Sequence, residues 1–285
     1  MTVSDAELAS LATSHDIISL GMLADEVRRR RHGVRTTFVR VADVPIEDAG
    51  ARSLPLVAGE IRIVGTPASR AAAVERVGQL AASIRGAGGV PLSGFSLADL
   101  ETLSTREGVT LRALLEELHA AGLELVAEAP FDRLQDARRS IEEVNIAGLA
   151  LARLTIHQSP SADPLPLLKA IADLQRSVAV IRAFAPLPRR INPAVPTTGY
   201  EDVTRVALAR VVVDNIKSIQ VDWSLYGPKL AQVALTVGAD DVDAISPEDD
   251  MTEGRRRAPL EEIRRNIRAA SQEPVERNGR FDLLQ

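Results

Sequence analysis

The stretch "ARVVVDNIKSIQVDWSLYGPKLAQVALTVGADDVDA", residues 209–244, contains two short strands separated by a helix. The predicted strands are Ile219–Asp222 and Asp241–Ala244, and residues 225–237 form the helix between them. A strand–helix–strand unit of this kind joins parallel strands through a right-handed crossover. The stretch therefore indicates an α/β fold with a parallel sheet.

The same alternation runs through most of the chain. Eight strand candidates in one chain favour a TIM-type (β/α) barrel over an open doubly wound sheet. The other predicted strands are Thr36–Val41, Glu60–Val64, Val90–Gly94, Leu123–Ala127, Ala150–Ile156 and Val178–Phe184, and the other predicted helices of the barrel are 68–86, 97–104, 110–121, 133–147, 164–176 and 200–215.

We interpret residues 1–285 as a single barrel domain, with N-terminal helices within 4–31 and a C-terminal helical extension at 257–285. The proline-rich segment 185–202 resembles a linker, but in a barrel it is better interpreted as a long loop at the carboxyl ends of the strands. Residues 244–262 carry mixed charges and indicate a surface loop.

Composition excludes several classes of protein. The 285 residues are 45% hydrophobic with no apolar run of membrane-spanning length, so no membrane association is expected. The acidic, polar start "MTVSDAELASLATSHD" lacks the features of a secretion signal and predicts a cytoplasmic location. A formal net charge of −5, from 34 Lys+Arg and 39 Asp+Glu, argues against nucleic acid as a partner.

The chain has no cysteine and only four histidines. This excludes disulfides, a thiolate nucleophile, cysteine-ligated zinc and cysteine-held iron–sulfur clusters within the chain. The histidines, at positions 15, 32, 119 and 157, show no metal-binding spacing, so we expect no metal and no cofactor.

Candidate site residues are the polar side chains expected at the carboxyl ends of strands, which form the mouth of a barrel. His157 ends an apolar strand, and with Glu128 as its carboxylate neighbour it is a candidate general base, or else a hydrogen-bonded histidine at the rim of the core. The candidates for substrate binding at the strand ends are Arg40, Arg182 and Asp222.

Two of these candidates have structural alternatives. Arg182 suits a substrate carboxylate but equally an internal ion pair with Glu128. Asp241 and Asp243 share one face of a strand while Asp240 takes the other, so only two carboxylates converge. We therefore expect Asp241 to have a structural or substrate-binding role and not to bind a metal.

Residues 209–244 resemble the C-terminal region of the radical-SAM enzymes that make menaquinone and deazaflavin precursors, namely aminofutalosine synthase, cyclic dehypoxanthine futalosine synthase and the deazaflavin synthase subunits. Three further segments resemble the family in the same order: "DIISLGMLADEVRRRRHGVRTTFVRV", "GFSLADLETLSTREGVTLRALLEELHAAGLELV" and "PVERNGRFDLL". The resemblance implies a radical-SAM-like barrel. The matching positions of 209–244 are Asp214, Asn215, Ile216, Ile219, Trp223, Gly227, Lys229, Ala231, Gln232, Ala234, Leu235, Gly238, Ala239, Asp240 and Asp241.

The resemblance fails after the first strand. There the family carries three cysteines at C-x3-C-x2-C spacing, which hold an iron–sulfur cluster that binds S-adenosylmethionine. Here the strand leads through Val44–Gly59 directly to the second strand, so the cluster loop and the first crossover helix are predicted to be lost. The family's glycine-rich segments are also altered, at Val64–Pro67 and Ala127–Pro130, which argues against adenosylmethionine binding. Radical chemistry is therefore not carried over from the family.

Two functions remain. The first is a pseudoenzyme that acts as a binding or partner protein, with a small-molecule ligand or a cysteine-complete radical-SAM homologue as its partner, in the futalosine route to menaquinone. The second is a non-radical lyase or acid–base enzyme acting on a small carboxylated or nucleoside-derived metabolite. We also expect a homodimer, formed across the gap left by the missing helix, that covers Val44, Ile46, Leu54, Leu56 and Val57.

Overall fold

A computed structural model of the chain describes residues 5–13, 16–47, 54–55, 57–85, 89–158, 163–190, 197–249 and 258–284. Its strands are β1 (Arg35–Pro45), β2 (Glu60–Val64), β3 (Leu92–Ser96), β4 (Leu125–Pro130), β5 (Ala150–Leu151), β6 (Leu154–Ile156), β7 (Ala183–Pro188), β8 (Ser218–Asp222), β9 (Asp241–Ile245) and β10 (Glu273–Glu276). Its helices are α1 (Asp5–Thr13), α2 (Ile17–His32), α3 (Arg70–Arg85), α4 (Leu97–Arg106), α5 (Leu111–Ala121), α6 (Ala137–Ile146), α7 (Leu165–Val178), α8 (Gly199–Val212), α9 (Trp223–Thr236) and α10 (Pro259–Ala269).

The strands form a closed parallel barrel. Hydrogen bonds link them in the order β1-β2-β3-β4-β6-β7-β8-β9, β9 pairs with β1, and β5 pairs with β4. Eight positions result, the fifth of which is divided between β5 and β6, and β10 adds to β1 outside the closed order. The predicted TIM-type barrel is confirmed. None of the described helices is both long enough and apolar enough to cross a membrane.

The chain divides into two compact units, each formed from segments distant in sequence. The first comprises Met1–Phe38, Thr155–Asp243 and Glu261–Val275, and the second comprises Val39–Leu154, Ala244–Leu260 and Glu276–Gln285. The interpretation of residues 1–285 as one domain stays a prediction.

The connection from β1 to β2 agrees with the predicted loss of a helix, as far as it is described. Ile46 and Glu47 form a turn after β1, residues 54–55 are irregular, and residues 57–59 lead into β2 without helix. Residues 48–53 and 56 lie outside the described residues, and so does the predicted role of Leu56. Val44 is only 4% exposed and Ile46 is half-buried, so the chain itself already covers part of the surface assigned to a dimer contact.

The strand predicted at Val178–Phe184 lies further along the chain, at β7, and this prediction was wrong. Helix α7 continues to Val178 and ends at Ala179, whose φ of 55° is left-handed. Gln175 then fixes the following loop, because its side chain accepts a hydrogen bond from the Ile181 amide at 3.0 Å and donates one to the Ile181 carbonyl at 3.1 Å. A main chain bonded in this way to a helix side chain cannot also pair as a strand.

The C-terminal extension is also only partly helical. After α10 the chain forms β10 and then a tail that lies over residues at the amino ends of β2 and β4. The Gly279 amide donates to the Gly59 carbonyl at 3.0 Å, and the Arg280 guanidinium binds both carboxylate oxygens of Glu124, at 2.6 and 2.8 Å. The tail is therefore part of the second unit's fold.

A buried ion pair joins α8 to the amino ends of β8 and β9 in the first unit. Arg210 and Asp240 bind each other through side chains that are at most 1% exposed. Arg210 also donates to the Gly238 carbonyl at 2.7 Å, and Asp240 accepts the Ile219 amide at 2.8 Å. Gly238 has φ 112°, and a Cβ there would lie 2.8 Å from Arg210 Cβ, so glycine is required at this position.

We predict that Asp240→Asn lowers the free energy of unfolding by about 3–5 kcal/mol, because it leaves the buried Arg210 charge without a counter-charge. Asp173→Asn is the matched control, since Asp173 and its partner Arg176 are both 66% exposed and an exposed pair contributes about 0–1 kcal/mol. Urea denaturation of both variants measures the difference. Equal losses in the two variants would contradict the assignment of a structural role to the buried pair.

Candidate functional site

The side chains of β1 show which face of the barrel wall is interior. Phe38 lies 6.0 Å from the guanidinium carbon of Arg264 on α10, and Thr36 binds Gln272 beyond the same helix. Even-numbered residues here face the outer layer, so Thr37 faces the interior. Thr37 Oγ1 donates to Asp241 Oδ1 at 2.5 Å, which places Asp241 in the interior too.

A polar layer therefore lines the interior at β8 and β9. Gln220 pairs in register with Asp241, and Asp222 pairs with Asp243 one step nearer the carboxyl ends. Gln220 Nε2 donates to Asp241 Oδ2 at 2.7 Å, so both oxygens of the Asp241 carboxylate accept hydrogen bonds. Asp241 is fully buried and holds β1, β8 and β9 together through side chains. Its own geometry fits a structural role.

Asp222 stands at the carboxyl end of β8 and organises the mouth of the barrel there. Its Oδ1 accepts the Leu225 amide at 2.9 Å and the Ser224 hydroxyl at 2.7 Å, which caps the first turn of α9. Its Oδ2 lies 2.5 Å from a guanidinium nitrogen of Arg189, the residue directly after β7. Asp222 therefore fixes both a helix start and an arginine at the mouth.

Tyr226 completes this first turn. Gly227 follows with φ 75° and ψ 169°, a non-helical conformation, and Pro228 begins the rest of the helix. The break lets Tyr226 Oη donate to the Pro188 carbonyl at 2.5 Å, at the end of β7. Burial raises the pKa of Tyr226, and the negative charge of Asp202 raises it further, so the hydroxyl stays a hydrogen-bond donor at neutral pH.

Helix α8 adds an acidic side chain, Asp202, and a basic side chain, Arg205, near Tyr226. Burial raises the pKa of Asp202, although a hydrogen bond from Thr197 opposes this. Burial also lowers the pKa of Arg205, which the charge of Asp202 opposes. Among the described residues, Asp202 Oδ1 finds no hydrogen-bond donor. The group thus has a buried carboxylate oxygen that could accept a hydrogen bond.

We call Arg189, Asp202, Arg205, Asp222 and Tyr226 the β7–β8 cluster. Two guanidinium groups, two carboxylates and a phenol suit the binding and orientation of a small polar ligand, in particular one with a carboxylate that arginine can bind. In the described part of the chain, no three His, Asp or Glu side chains are grouped so that they could hold a metal ion.

Some of the predicted site residues lie where the sequence predicts them, and others do not. Asp222 ends a strand as expected, and Asp241 begins β9, as it begins the predicted strand Asp241–Ala244. Arg40 faces the outer layer and its Nε lies 2.5 Å from a carboxylate oxygen of Glu276 on β10. Arg182 precedes β7 and is exposed. Its expected place at the carboxyl end was wrong, because the strand begins one residue later and runs on to Pro188.

The structure gives the position of each residue of the proposed acid–base pair separately. His157 directly follows β6, is half-buried, and its carbonyl accepts the Arg190 amide at 2.9 Å. Glu128 lies in β4, half-buried and in register with Ser96 of β3. They belong to different compact units, and the pairing of His157 with Glu128 stays a prediction.

Sequence reasoning missed four of the five residues of the β7–β8 cluster. Two signals were available for them. Gly227–Pro228 marks a helix break just after Tyr226. Thr198 and Glu201 form a capping box that fixes the start of α8, and so places Asp202 and Arg205 near a strand end.

Comparison with known proteins identifies relatives of two related kinds. Residues 186–285 match the family model of the CofH/MqnC C-terminal region. The chain is 28% identical over 192 residues to the 5-amino-6-(D-ribitylamino)uracil–L-tyrosine 4-hydroxyphenyl transferase of Methanosphaerula palustris, covering 58% of this chain and 53% of that protein. It is 26% identical over 218 residues to the cyclic dehypoxanthine futalosine synthase of Streptomyces coelicolor, covering 68% and 55% respectively. The chain thus spans little more than half the length of these two relatives.

Solved structures support the fold. Methylornithine synthase (PylB) superposes with a TM-score of 0.67 at 12% identity, covering 96% of this chain and 94% of that one. HydG, a maturase of the [FeFe]-hydrogenase, superposes with a TM-score of 0.61 at 10% identity, covering 94% and 71% respectively. At these identities the likeness concerns the barrel alone.

We predict that Asp202→Asn weakens the dependence of stability on pH. The raised pKa means that the folded state keeps a proton to higher pH than the unfolded state does, so this group lowers stability as pH rises above about 4. An asparagine side chain does not titrate, so the variant lacks this decrease in stability. Chemical denaturation of the parent and the variant across this range measures the effect.

Glu201→Gln on the same helix is a control of opposite sign. Hydrogen bonds at Thr198 lower the pKa of Glu201, so its contribution to stability is present above the unfolded value and lost as pH falls. Identical pH profiles for the parent and Asp202→Asn would contradict the buried, proton-retaining carboxyl.

Proposed function

We propose that this chain, a cysteine-free homologue of the radical-SAM synthases of the futalosine and deazaflavin routes, is a pseudoenzyme that keeps the barrel as a binding or partner module. The observation that carries the proposal is a closed barrel in a chain of 285 residues with no thiolate to hold the family's cluster. The proposed setting is the futalosine route to menaquinone, and the proposed partner is a cysteine-complete homologue.

The residues at the cluster position do not fit the cluster. Four-iron–four-sulfur clusters in proteins are held by cysteine thiolates. At the carboxyl ends of β1 and β2, Pro45 pairs with Val64 and Ile46 packs at Gly65, with Glu47 as the adjacent described ionisable group. A carboxylate is a hard oxygen donor and a poor ligand for iron in such a cluster. The proposed function therefore uses neither a cluster nor S-adenosylmethionine.

The β7–β8 cluster has groups that can bind a small ligand. Asp222 holds Arg189 in place, and the Arg189 side chain is still 24% exposed. A guanidinium held in one orientation binds a carboxylate with little loss of conformational entropy. This supports a small carboxylated ligand in a pseudoenzyme, for example a metabolite that the chain retains or delivers to a partner.

Reconstitution tests the loss of radical chemistry. We predict that anaerobic incubation with iron and sulfide leaves the protein colourless after desalting, and that adenosylmethionine with a strong reductant yields no 5′-deoxyadenosine, because no thiolate is available. A cysteine-complete homologue treated in parallel is the positive control. A stoichiometric cluster accompanied by deoxyadenosine release would overturn the proposal.

Association tests the partner role. We predict that titration calorimetry detects saturable binding between this chain and a cysteine-complete homologue, and that the complex unfolds at higher temperature than the homologue alone, because a ligand of the folded state stabilises it. Bovine serum albumin at equal concentration is the control for non-specific effects. No heat of binding and no thermal shift would count against a partner of this class.

A non-radical lyase or acid–base enzyme is the second candidate. Its support is the half-buried His157 directly after β6, where a barrel enzyme carries catalytic groups. Turnover of a futalosine-like substrate by the isolated chain would select this candidate. His157→Ala and Glu128→Gln should then each reduce kcat by about 100-fold or more, and full activity in both would exclude the proposed pair.

A further inference from the structure

Asn278 is followed by a glycine, and this pair of residues favours spontaneous deamidation. Because glycine has no Cβ, its backbone nitrogen can approach the preceding asparagine side chain without steric hindrance. Of the five asparagines in the chain, only Asn278 precedes a glycine, and Asn192 precedes a proline, which lacks the N–H that the reaction needs. The other three each precede the branched residue isoleucine: Asn145, Asn215 and Asn266. The local sequence therefore favours deamidation at Asn278.

The folded tail, residues 277–284, opposes this reaction at the attacking nitrogen. The Gly279 amide donates to the Gly59 carbonyl at 3.0 Å, and Gly279 is buried. A backbone amide bound in this way keeps its proton and cannot turn toward the neighbouring side chain. The tail also packs closely on β2, since a Cβ on Gly279 would lie 3.1 Å from Glu60 Cγ.

The Asn278 carboxamide is held in place as well. Its Oδ1 accepts hydrogen bonds from the amides of Arg280 at 2.9 Å and Asp282 at 3.0 Å. Its Nδ2 donates to Asp282 Oδ2 at 3.1 Å. The bond to the amide two residues further on forms an Asx turn. Both ends of the carboxamide are thus fixed, and it cannot rotate toward the Gly279 nitrogen while this turn is intact.

The contacts that hold the tail are those of a surface segment that can open. Arg280 binds Glu124 through side chains that are 38% and 39% exposed, and exposed ion pairs contribute little to stability. Leu283 and Leu284 are 53% and 41% exposed. Phe281 has a φ of 66°, which is unfavourable for an aromatic residue. Opening of such a segment costs less free energy than unfolding of the whole chain.

We propose that Asn278 is a modification site that deamidates when the tail opens, and that the product hinders the tail from closing again. In the open tail the Gly279 nitrogen attacks Asn278 Cγ, the Cγ–Nδ2 bond breaks, and the side-chain nitrogen leaves as ammonia with the proton of the attacking nitrogen. Water then opens the resulting succinimide at either carbonyl, which gives aspartate or isoaspartate. The inference is independent of the proposed function.

Neither product can make the contacts that Asn278 makes. Each carries a carboxylate in place of the carboxamide, whose Nδ2 lies 3.1 Å from Asp282 Oδ2. A hydrogen bond is therefore replaced by repulsion between two carboxylates. Isoaspartate also lengthens the main chain by a methylene group, within the turn that holds Gly279 on Gly59. A single deamidation thus shifts the tail toward its open form.

Deamidation kinetics test the protection by the fold. The protein is incubated in warm, mildly alkaline buffer with and without urea, and the Glu-C peptide that begins at Arg277 is followed by mass spectrometry and isoaspartyl methyltransferase assay. We predict slow reaction at Asn278 in the native protein and fast reaction in urea, where Asn278 should also react faster than Asn145, Asn215 and Asn266. Equal rates at Asn278 with and without urea would overturn the proposal.

Loosening the tail should accelerate the reaction in the native protein. Arg280→Ala removes the ion pair with Glu124, so deamidation of Asn278 should become about fivefold faster, because a reaction confined to the open form follows the population of that form. In urea the variant and the parent should react equally. Arg138→Ala, at a 64% exposed ion pair within α6, is the control and should leave the native rate unchanged. A native rate in Arg280→Ala equal to that of the parent would contradict the proposal.

Asn278→Asp tests the effect of the product. The new carboxylate can still accept hydrogen bonds from the amides of Arg280 and Asp282, so the change is confined to the contact between the two side chains. Chymotrypsin should cleave after Phe281 faster than in the parent, and Asn278→Asp/Asp282→Asn, which restores a bond between a carboxylate and an amide, should return cleavage to near the parental rate. Unchanged cleavage in the single variant, or no recovery in the double variant, would overturn the proposed effect of the product.

Discussion

The short connection between β1 and β2 limits what the chain can form after its first strand. The two strands are parallel neighbours with Val41 opposite Glu60 and Pro45 opposite Val64, so the chain must return about 13 Å to the start of the second strand. Residues 46–59 are available for this return, and those described at its two ends are not helical. A three-turn helix needs about 11 residues and its two loops need more. The described ends of this short return agree with the predicted loss of the first crossover helix.

The charged side chains at the ends of β7 and β8 form the group best suited to bind a small ligand. Asp222 caps α9 and holds Arg189, while Tyr226 binds the last carbonyl of β7. These contacts fix the orientation of each group, which favours selective binding of a small polar ligand. Binding of such a ligand is the role proposed above for this set of residues.

Much of the architecture could be predicted from the sequence, because a strand–helix alternation leaves few topologies open. The predicted strand Glu60–Val64 has the same bounds as β2. The strand predicted at Thr36–Val41 corresponds to β1, which extends four residues further, to Pro45. The strand near Val178 was misplaced because an apolar run carries no sign of where a helix ends. The bonds of Gln175 to Ile181, which decide it, exist only in the folded chain.

The site was less predictable, for a related reason. A sequence shows that Arg40 is on a strand but does not show which face it takes, and Glu276, over two hundred residues away, is its partner. The β7–β8 cluster likewise combines residues from two strand ends and two helices. Its members are recognised only when the barrel brings them together.

Steady-state turnover of a cysteine-complete homologue, measured as this chain is added, is the most direct test of the proposed partner role. We predict a saturable change in the kcat or KM of the homologue that reaches its plateau near a fixed stoichiometry, and no turnover by this chain alone. Unchanged kinetics of the homologue at saturating chain, together with turnover of substrate by the isolated chain, would contradict it.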